Sequence, residues 1–340
     1  MQNILIWIYI WSWDYLETLQ IQSQSLLVDQ IAIFIIAIVI DLIVGDPSEK
    51  LDRFYPIVWI SRLIYFFDQR TSRGNARREQ ALGVLYPLLI LAIFVLPCLL
   101  LFLAPGDLIY IVAGALVFKM TFTIKGLERF GRNAMVAPDL EAKRAAVGKI
   151  VSRDVKALDR AHLDSAAIES VAENLTDSVI APFFYFMLFG ISGAMAYRVI
   201  NTLDAVVGYK TGEYLHFGWF SAKTDDLLNY IPERIAAGLI MLTSRSNWRA
   251  FRALKLKVGV HLTIAAMSLA LRVKLEKVGH YAVGEQFEPA SGEDIERAIR
   301  VMKLSAVLFV FMCLGVLLLL YLCSLSRFTI FTAASTALLA

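Results

Sequence analysis

No lysine or arginine precedes Lys50. A secretory signal opens on a basic stretch, so the aromatic N-terminus "MQNILIWIYIWSWDYLETLQIQSQ" reads instead as an interfacial extension over residues 1–25. Cysteine is scarce: Cys98, Cys313 and Cys323 all sit in apolar runs with no CxxC spacing, which excludes a disulfide or zinc framework. Four scattered histidines, His162, His216, His261 and His280, form no HExxH or other ligand spacing, and none is assigned a role. There is no GxGxxG, no GxxxxGK[ST] and no βαβ alternation, so the usual nucleotide cradles are missing. A net charge of +3 without one basic patch argues against nucleic acid as a partner. Charged residues make up only 19% of the chain, against about 25% in ordinary soluble domains.

What is abundant is apolar surface: 58% hydrophobic residues and a mean hydropathy of +0.62. Crossing a bilayer takes about 20 apolar residues, and runs near 26–45, 82–104, 108–124 and 304–323 predict four transmembrane helices. Residues 179–200 are apolar but interrupted by Gly190, Ser192 and Gly193, and 235–242 is too short to cross alone. This middle region reads either as two crossings or as a broken, re-entrant helical hairpin. The basic regions 46–80, 125–178 and 244–303 are expected on the cytoplasmic side, with the short turn 104–107, which carries no lysine or arginine, outside. Outside the membrane the periodicity is that of amphipathic helix, with Asp139, Asp164 and Ser291 (paired with Asp294) as expected N-caps. The expected fold is an all-α polytopic membrane protein, residues 26–340 forming one membrane-embedded domain behind the 1–25 extension.

Two clusters stand out as chemistry. In "ESVAENLTDSVIAPFFYF" (169–186), Glu169, Glu173 and Asp177 recur every four residues, with Asn174 beside them. Like charges at that spacing repel along one helix face, so the stretch calls for a cation, a substrate amine or arginines opposite. A solvated face is the plain alternative, weakened by the thin apolar face and the membrane-like sequence that follows at once. The second cluster, 197–234, places Arg198, Asn201 and Asp204 on one face inside an apolar stretch, where ionisable groups are costly and usually functional. Gly208-Tyr209-Lys210 then breaks the helix, Trp219 follows, and Asp225, Asp226 and Asn229 open a new helix as candidate oxygen ligands for Mg²⁺. Arg153 sits in a Ser-Arg-Asp triplet that also suits a local ion pair. The intramembrane carboxyls Asp29, Asp41 and Asp204, with a glycine-broken helix, leave an ion-coupled small-solute transporter as the alternative function.

Six segments, "GDP…YPIVWISRLI", "VSRDVKALD", "ESVAENLTDSVIAPFFYF", "AYRVINTLDAVVGYK", "FGWFSAKTDDLLNYIPER" and "DIERAIRVMKLSAVL", together resemble in their order the CobD/CbiB membrane family of cobalamin biosynthesis, often called adenosylcobinamide-phosphate synthase. The resemblance covers about residues 35–320. It implies an amide-forming ligase that joins aminopropanol, or its O-phosphate, to the propionate carboxylate of adenosylcobyric acid. It further implies coupling to ATP with Mg²⁺, the corrinoid being substrate rather than prosthetic group. Under that resemblance Glu169, Glu173, Asp177 and Asp204 are the candidate catalytic carboxylates. Arg153, Asn174, Arg198, Asn201, Tyr209, Lys210 and Trp219 are the candidates to bind substrate and phosphate. The implied place is the cell membrane, with the site facing the cytoplasm, which favours the hairpin for 179–200; lipids and other corrinoid-pathway enzymes are the implied neighbours. The chain departs from the family pattern at Tyr55, where histidine is common, at Ser61, where glycine is common, and at "LKVGVHLT", where a Ser-Pro-Asn-Ala-Gly stretch is usual.

Overall fold

The computed structural model describes residues 25–46, 55–151, 153–209, 212–253 and 260–339. The expected 1–25 extension (save Ser25), Lys210 and the first half of "LKVGVHLT" fall outside the described residues. In chain order the helices are α1 (Ser25–Ile43), α2 (Pro56–Arg70), α3 (Ala76–Leu100), α4 (Asp107–Lys119), α5 (Lys125–Met135) and α6 (Leu140–Val147). They continue as α7 (Arg160–Leu175), α8 (Ala181–Val207), α9 (Trp219–Thr243), α10 (Trp248–Ala253), α11 (Leu262–Leu271) and α12 (Gly292–Leu339). One antiparallel hairpin, β1 (Leu275–Lys277) and β2 (Tyr281–Val283), is the sheet found among the described residues.

Four helical stretches are long and apolar enough to cross a membrane: Ser25–Ile43, Ala76–Leu103, Arg160–Val207 and Gly292–Ser326. Their apolar residues point outward as well as inward; Ile43, Leu96, Phe311 and Leu319 are more than half exposed. A helix apolar all round suits a hydrocarbon solvent. The protein is therefore a multi-pass membrane protein, almost wholly helical as its sequence predicts.

The expected crossing at 108–124 is shorter than expected. α4 has 13 residues, about 20 Å at the helical rise of 1.5 Å per residue, against a hydrocarbon core of about 30 Å. It ends where Lys119 turns into the protein, meeting Asp41 at 3.0 Å and Asp46 at 3.1 Å. Asp41 also accepts the backbone N–H of Ile124 and Lys125, each at 3.1 Å, so the α4–α5 link is pinned to the end of α1.

The long stretch 160–207 is not one straight rod. α7 passes through a widened π turn, Thr176–Ile180, into α8, and α8 folds back at Gly190 (φ 63°, ψ −151°). The two arms lie side by side: the rings of Tyr185 and Tyr197 stack at 5.3 Å. This is the broken hairpin, each arm shorter than the roughly 20 residues of a full crossing. Aromatic packing buries its first arm, with Phe186 stacked on Phe118 at 4.0 Å and Phe183 against Phe122 at 4.8 Å. The Gly190 conformation belongs almost solely to glycine, and a Cβ there would lie 2.9 Å from Gln30 Nε2. Gly190→Ala is expected to cost about 1–3 kcal/mol, read as a lower melting temperature in detergent; an unchanged melt would show that the turn relaxes freely.

The caps divide. Asp139 does cap α6, accepting from Ala142 N at 2.7 Å, and Ser291 and Asp294 lock the start of α12 through the Ser291 N–H (2.9 Å). Asp164 does not cap α7. Asp159 does, accepting from His162 N at 2.9 Å, while Asp164 lies more than a turn inside, buried and ion-paired with Lys143. α9 also runs on through Pro232 to Thr243 rather than stopping before it, joining 235–242 to the helix that carries Asp225.

Candidate functional site

A 360 Å³ cavity opens between α7, the second arm of α8, the loop after Val151 and the β-hairpin. Glu169, Glu173, Asn174 and Asp177 line it from one side, Asn201, Asp204 and Tyr209 from another, and Arg153, Lys277 and Tyr281 close it. The four-residue spacing in "ESVAENLTD" does what helical geometry dictates, aiming three carboxylates the same way. The π turn carries Asp177, and such widened turns occur often at functional sites.

The carboxylates are not equivalent. Glu169 is saturated: it accepts from Ser165 Oγ at 2.7 Å, Tyr281 Oη at 2.9 Å and Arg153 Nη2 at 3.0 Å. Burial, and then Glu169 itself, raises the Tyr281 phenol above its ordinary range, so Tyr281 stays a donor. Asp177 accepts from Asn229 Nδ2 at 3.2 Å and from Tyr197 Oη at 3.4 Å. Glu173 faces His261, 3.6 Å away, and keeps an exposed edge toward the cavity.

The residues expected to form one Mg²⁺ ligand set separate. Asp225 turns inward, accepting from Asn229 Nδ2 at 2.9 Å and Asn201 Nδ2 at 3.4 Å. Burial first, then Asp177 and Asp204, push its carboxyl up to about 8. Asp226, its immediate neighbour, points away and pairs with Lys223 at 3.7 Å on the surface. Successive residues on a helix are about 100° apart, so adjacent aspartates cannot share a face. Among the described residues no group of three or more His, Cys, Asp or Glu side chains is arranged to hold a metal ion. Asp225, Asp226 and Asn229 do not fit Mg²⁺ as a set.

Arg198 stands behind the cavity rather than in it. Its Nε and Nη2 donate to the Thr121 carbonyl, Nε at 2.7 Å, and Nη1 reaches Asn201 Oδ1 at 3.2 Å. Trp219, half-exposed at the first position of α9, does not line the cavity, and Lys210 is not described. Sequence reasoning missed Ser165, Lys277, Tyr281 and His261. Ser165 had a local signal, standing one helical turn before Glu169 on α7; Lys277 and Tyr281 had none, being brought in by tertiary packing. His261 had none either: its partners, Glu233 and Glu173, are 28 and 88 residues away in sequence.

His261 Nδ1 lies 3.1 Å from Glu233, whose other role is to accept the Leu262 N–H at 2.8 Å. The hydrogen bond to Glu233, helped by the charges of Glu173 and Asp177 and opposed by burial, raises the imidazole to about 10 from 6.5. A raised folded value means that the stabilisation is complete below pH 6.5 and is lost as pH rises through about 10. His261→Gln is therefore expected to melt below the wild type at pH 6, the gap closing toward pH 10.5. A gap constant across that range would refute the ion-paired histidine.

The family model described as CobD/Cbib protein matches residues 34–302. A probable cobalamin biosynthesis protein CobD of Thermococcus kodakarensis is 43% identical over 270 residues, covering 79% of this chain and 89% of the relative. A counterpart in Methanothermobacter thermautotrophicus is 34% identical over 302 residues, 85% and 98% of the two chains. The cobalamin biosynthesis protein CobD of Dehalococcoides mccartyi is 32% identical over 302 residues, 84% and 96%. No solved structure matches the chain.

Proposed function

The chain belongs to the CobD/CbiB family, a biosynthetic enzyme family of the cobalamin pathway, and from that premise we propose that it forms the amide bond between an amino alcohol and a corrinoid propionate. The observation that carries this reading is the gathering of Glu169, Glu173, Asp177 and Asp204 around one cavity. Carboxylates in such a pocket suit a protonated amine, which they hold by charge and must deprotonate before its nitrogen can attack. The substrates are adenosylcobyric acid and aminopropanol or its O-phosphate. At 360 Å³ the cavity takes the amine and the end of a propionate arm, while the macrocycle stays at the mouth beside Tyr209, which is 42% exposed.

A carboxylate and an amine do not condense spontaneously in water, so ATP supplies the drive. The propionate oxygen attacks the γ-phosphorus, and the bond to ADP breaks. The amine nitrogen then attacks the acyl carbon, the carbon–oxygen bond to phosphate breaks, and the amine proton passes to a cavity carboxylate. Mg²⁺ would accompany ATP as its counter-ion, and Asp225, Asp226 and Asn229, which do not face one another as a set, would not hold it. The site faces the cytoplasm of the cell membrane in this reading, since the basic regions 125–178 and 244–303 flank it.

The transporter alternative has less to stand on. Asp41 is consumed by Lys119, and neither Asp29 nor Asp41 lines the cavity that holds Asp204. Purified protein given adenosylcobyric acid, Mg·ATP and each amine in turn should yield an amide product by mass, with one ADP per product. Uptake of a solute by proteoliposomes without such a product would overturn the reading.

A further inference from the structure

A second and larger cavity, 800 Å³, lies directly behind the acidic one, between the start of α2, the α4–α5 link, α5, α6 and α8. Its charge is of the opposite sign. Arg129, Lys149 and Arg198 line it, and its single carboxylate, Asp46, is already engaged by Lys119 at 3.1 Å and Thr123 Oγ1 at 2.8 Å. The rest of the wall is largely apolar and aromatic, with Tyr55, Phe122 and Phe130 from three different segments. The partition between the two cavities is thin. Ser178 lines one and Asn174 the other, joined by a 3.3 Å hydrogen bond; Arg198 lines one and Asn201 the other, joined at 3.2 Å.

We propose that this rear chamber binds the nucleoside polyphosphate, its phosphates on Arg129 and Lys149 and its base against the aromatic wall. The inference rests on the amide-ligase reading for the need of ATP and adds where ATP goes. In the front cavity four carboxylates outnumber two cations, Arg153 and Lys277, which disfavours the several charges of a polyphosphate, whereas the rear one offers cations for phosphate oxygens and flat apolar surface for a purine. Its volume lies in the range of ordinary ligand sites, roughly 300–1,000 Å³. Amine and nucleotide thus approach one partition from opposite sides, and the propionate arm meets them there. The assignment also accounts for the missing glycine-rich loop: side-chain cations replace the backbone N–H cradle.

The test is equilibrium binding to full-length protein in detergent, with ATP, aminopropanol O-phosphate and vesicles containing an anionic phospholipid as separate probes. Arg129→Ala with Lys149→Ala should weaken ATP by tenfold or more and leave aminopropanol O-phosphate unchanged, with the melting curve preserved. Ala146→Trp, which fills the chamber without altering its charge, should also weaken ATP, guarding against a folding defect in the double variant. ATP affinity unchanged in both variants overturns the proposal. So does a loss confined to anionic vesicles, or to the amino-alcohol phosphate, with ATP retained. Failure of the proposed reaction reads differently: ATP would still bind through Arg129 and Lys149, but no amide would form.

Discussion

Glu173→Gln is expected to lower turnover by about 10²–10³-fold while leaving ATP affinity unchanged. The magnitude is that of a lost general base, which contributes about 10²–10⁴-fold. Glu173 is singled out by comparing what the three carboxylates of α7 and its π turn already do. Glu169 spends its oxygens on Ser165, Tyr281 and Arg153, so it organises the cavity wall rather than receiving a proton. Asp177 is held by Asn229 and Tyr197, both neutral donors that stabilise it in place. Glu173 has His261 on one side and the cavity on the other. Glutamine keeps its size and hydrogen bonds but cannot accept the proton of the incoming ammonium. Glu169→Gln provides the contrast: it leaves Arg153, only 15% exposed at its side chain, without its counter-charge, and its main effect is expected on stability. Steady-state assay of product mass with saturating amine checks both. Turnover within twofold of wild type in Glu173→Gln would remove it as the base.

The sequence and the structure agree where the signal is local. Apolar runs announced α1, α3 and α12 because lipid asks only for length and hydrophobicity. The stripe of Glu169, Glu173 and Asp177 was legible because helix period alone puts those side chains together, and Gly190, Ser192 and Gly193 marked the break because few other residues adopt the required turn. What sequence could not show is which partner each charge finds. Asp225 and Asp226 look interchangeable in the chain, yet one is sealed among amides and the other sits at the surface with Lys223. Arg198 reads as a phosphate ligand until Thr121, 77 residues away, claims two of its nitrogens. α4 ends early because Lys119 is drawn to Asp41 on another helix, and no local rule measures that pull. The β-hairpin that brings Lys277 and Tyr281 to the cavity is too short to leave a pattern.

The same non-local pairing produces the largest expected effect on stability. Asp164→Ala should destabilise the protein by about 3–5 kcal/mol, enough to abolish recovery of folded material for a marginally stable domain. Lys143 and Asp164 form an ion pair with side chains 1% and 3% exposed, joining α6 to α7. Removing one partner strands the other charge in a place water cannot reach, and that penalty exceeds anything the pair gains when intact. The double variant Lys143→Met with Asp164→Leu separates the two terms. It removes both charges and keeps roughly the same volume, so its stability should return to within about 1–2 kcal/mol of wild type, or exceed it, as replaced buried pairs often do. Chemical denaturation in detergent micelles provides the measurement. Should Asp164→Ala unfold at the wild-type midpoint, water reaches the pair and its burial is illusory. Should the double variant be as weak as the single one, α6 needs the charges for its register on α7 and not merely for their mutual neutralisation. Because α7 carries Glu169 and Glu173 only about one and a half and two and a half turns beyond Asp164, a shift in that register would move the cavity's carboxylates with it.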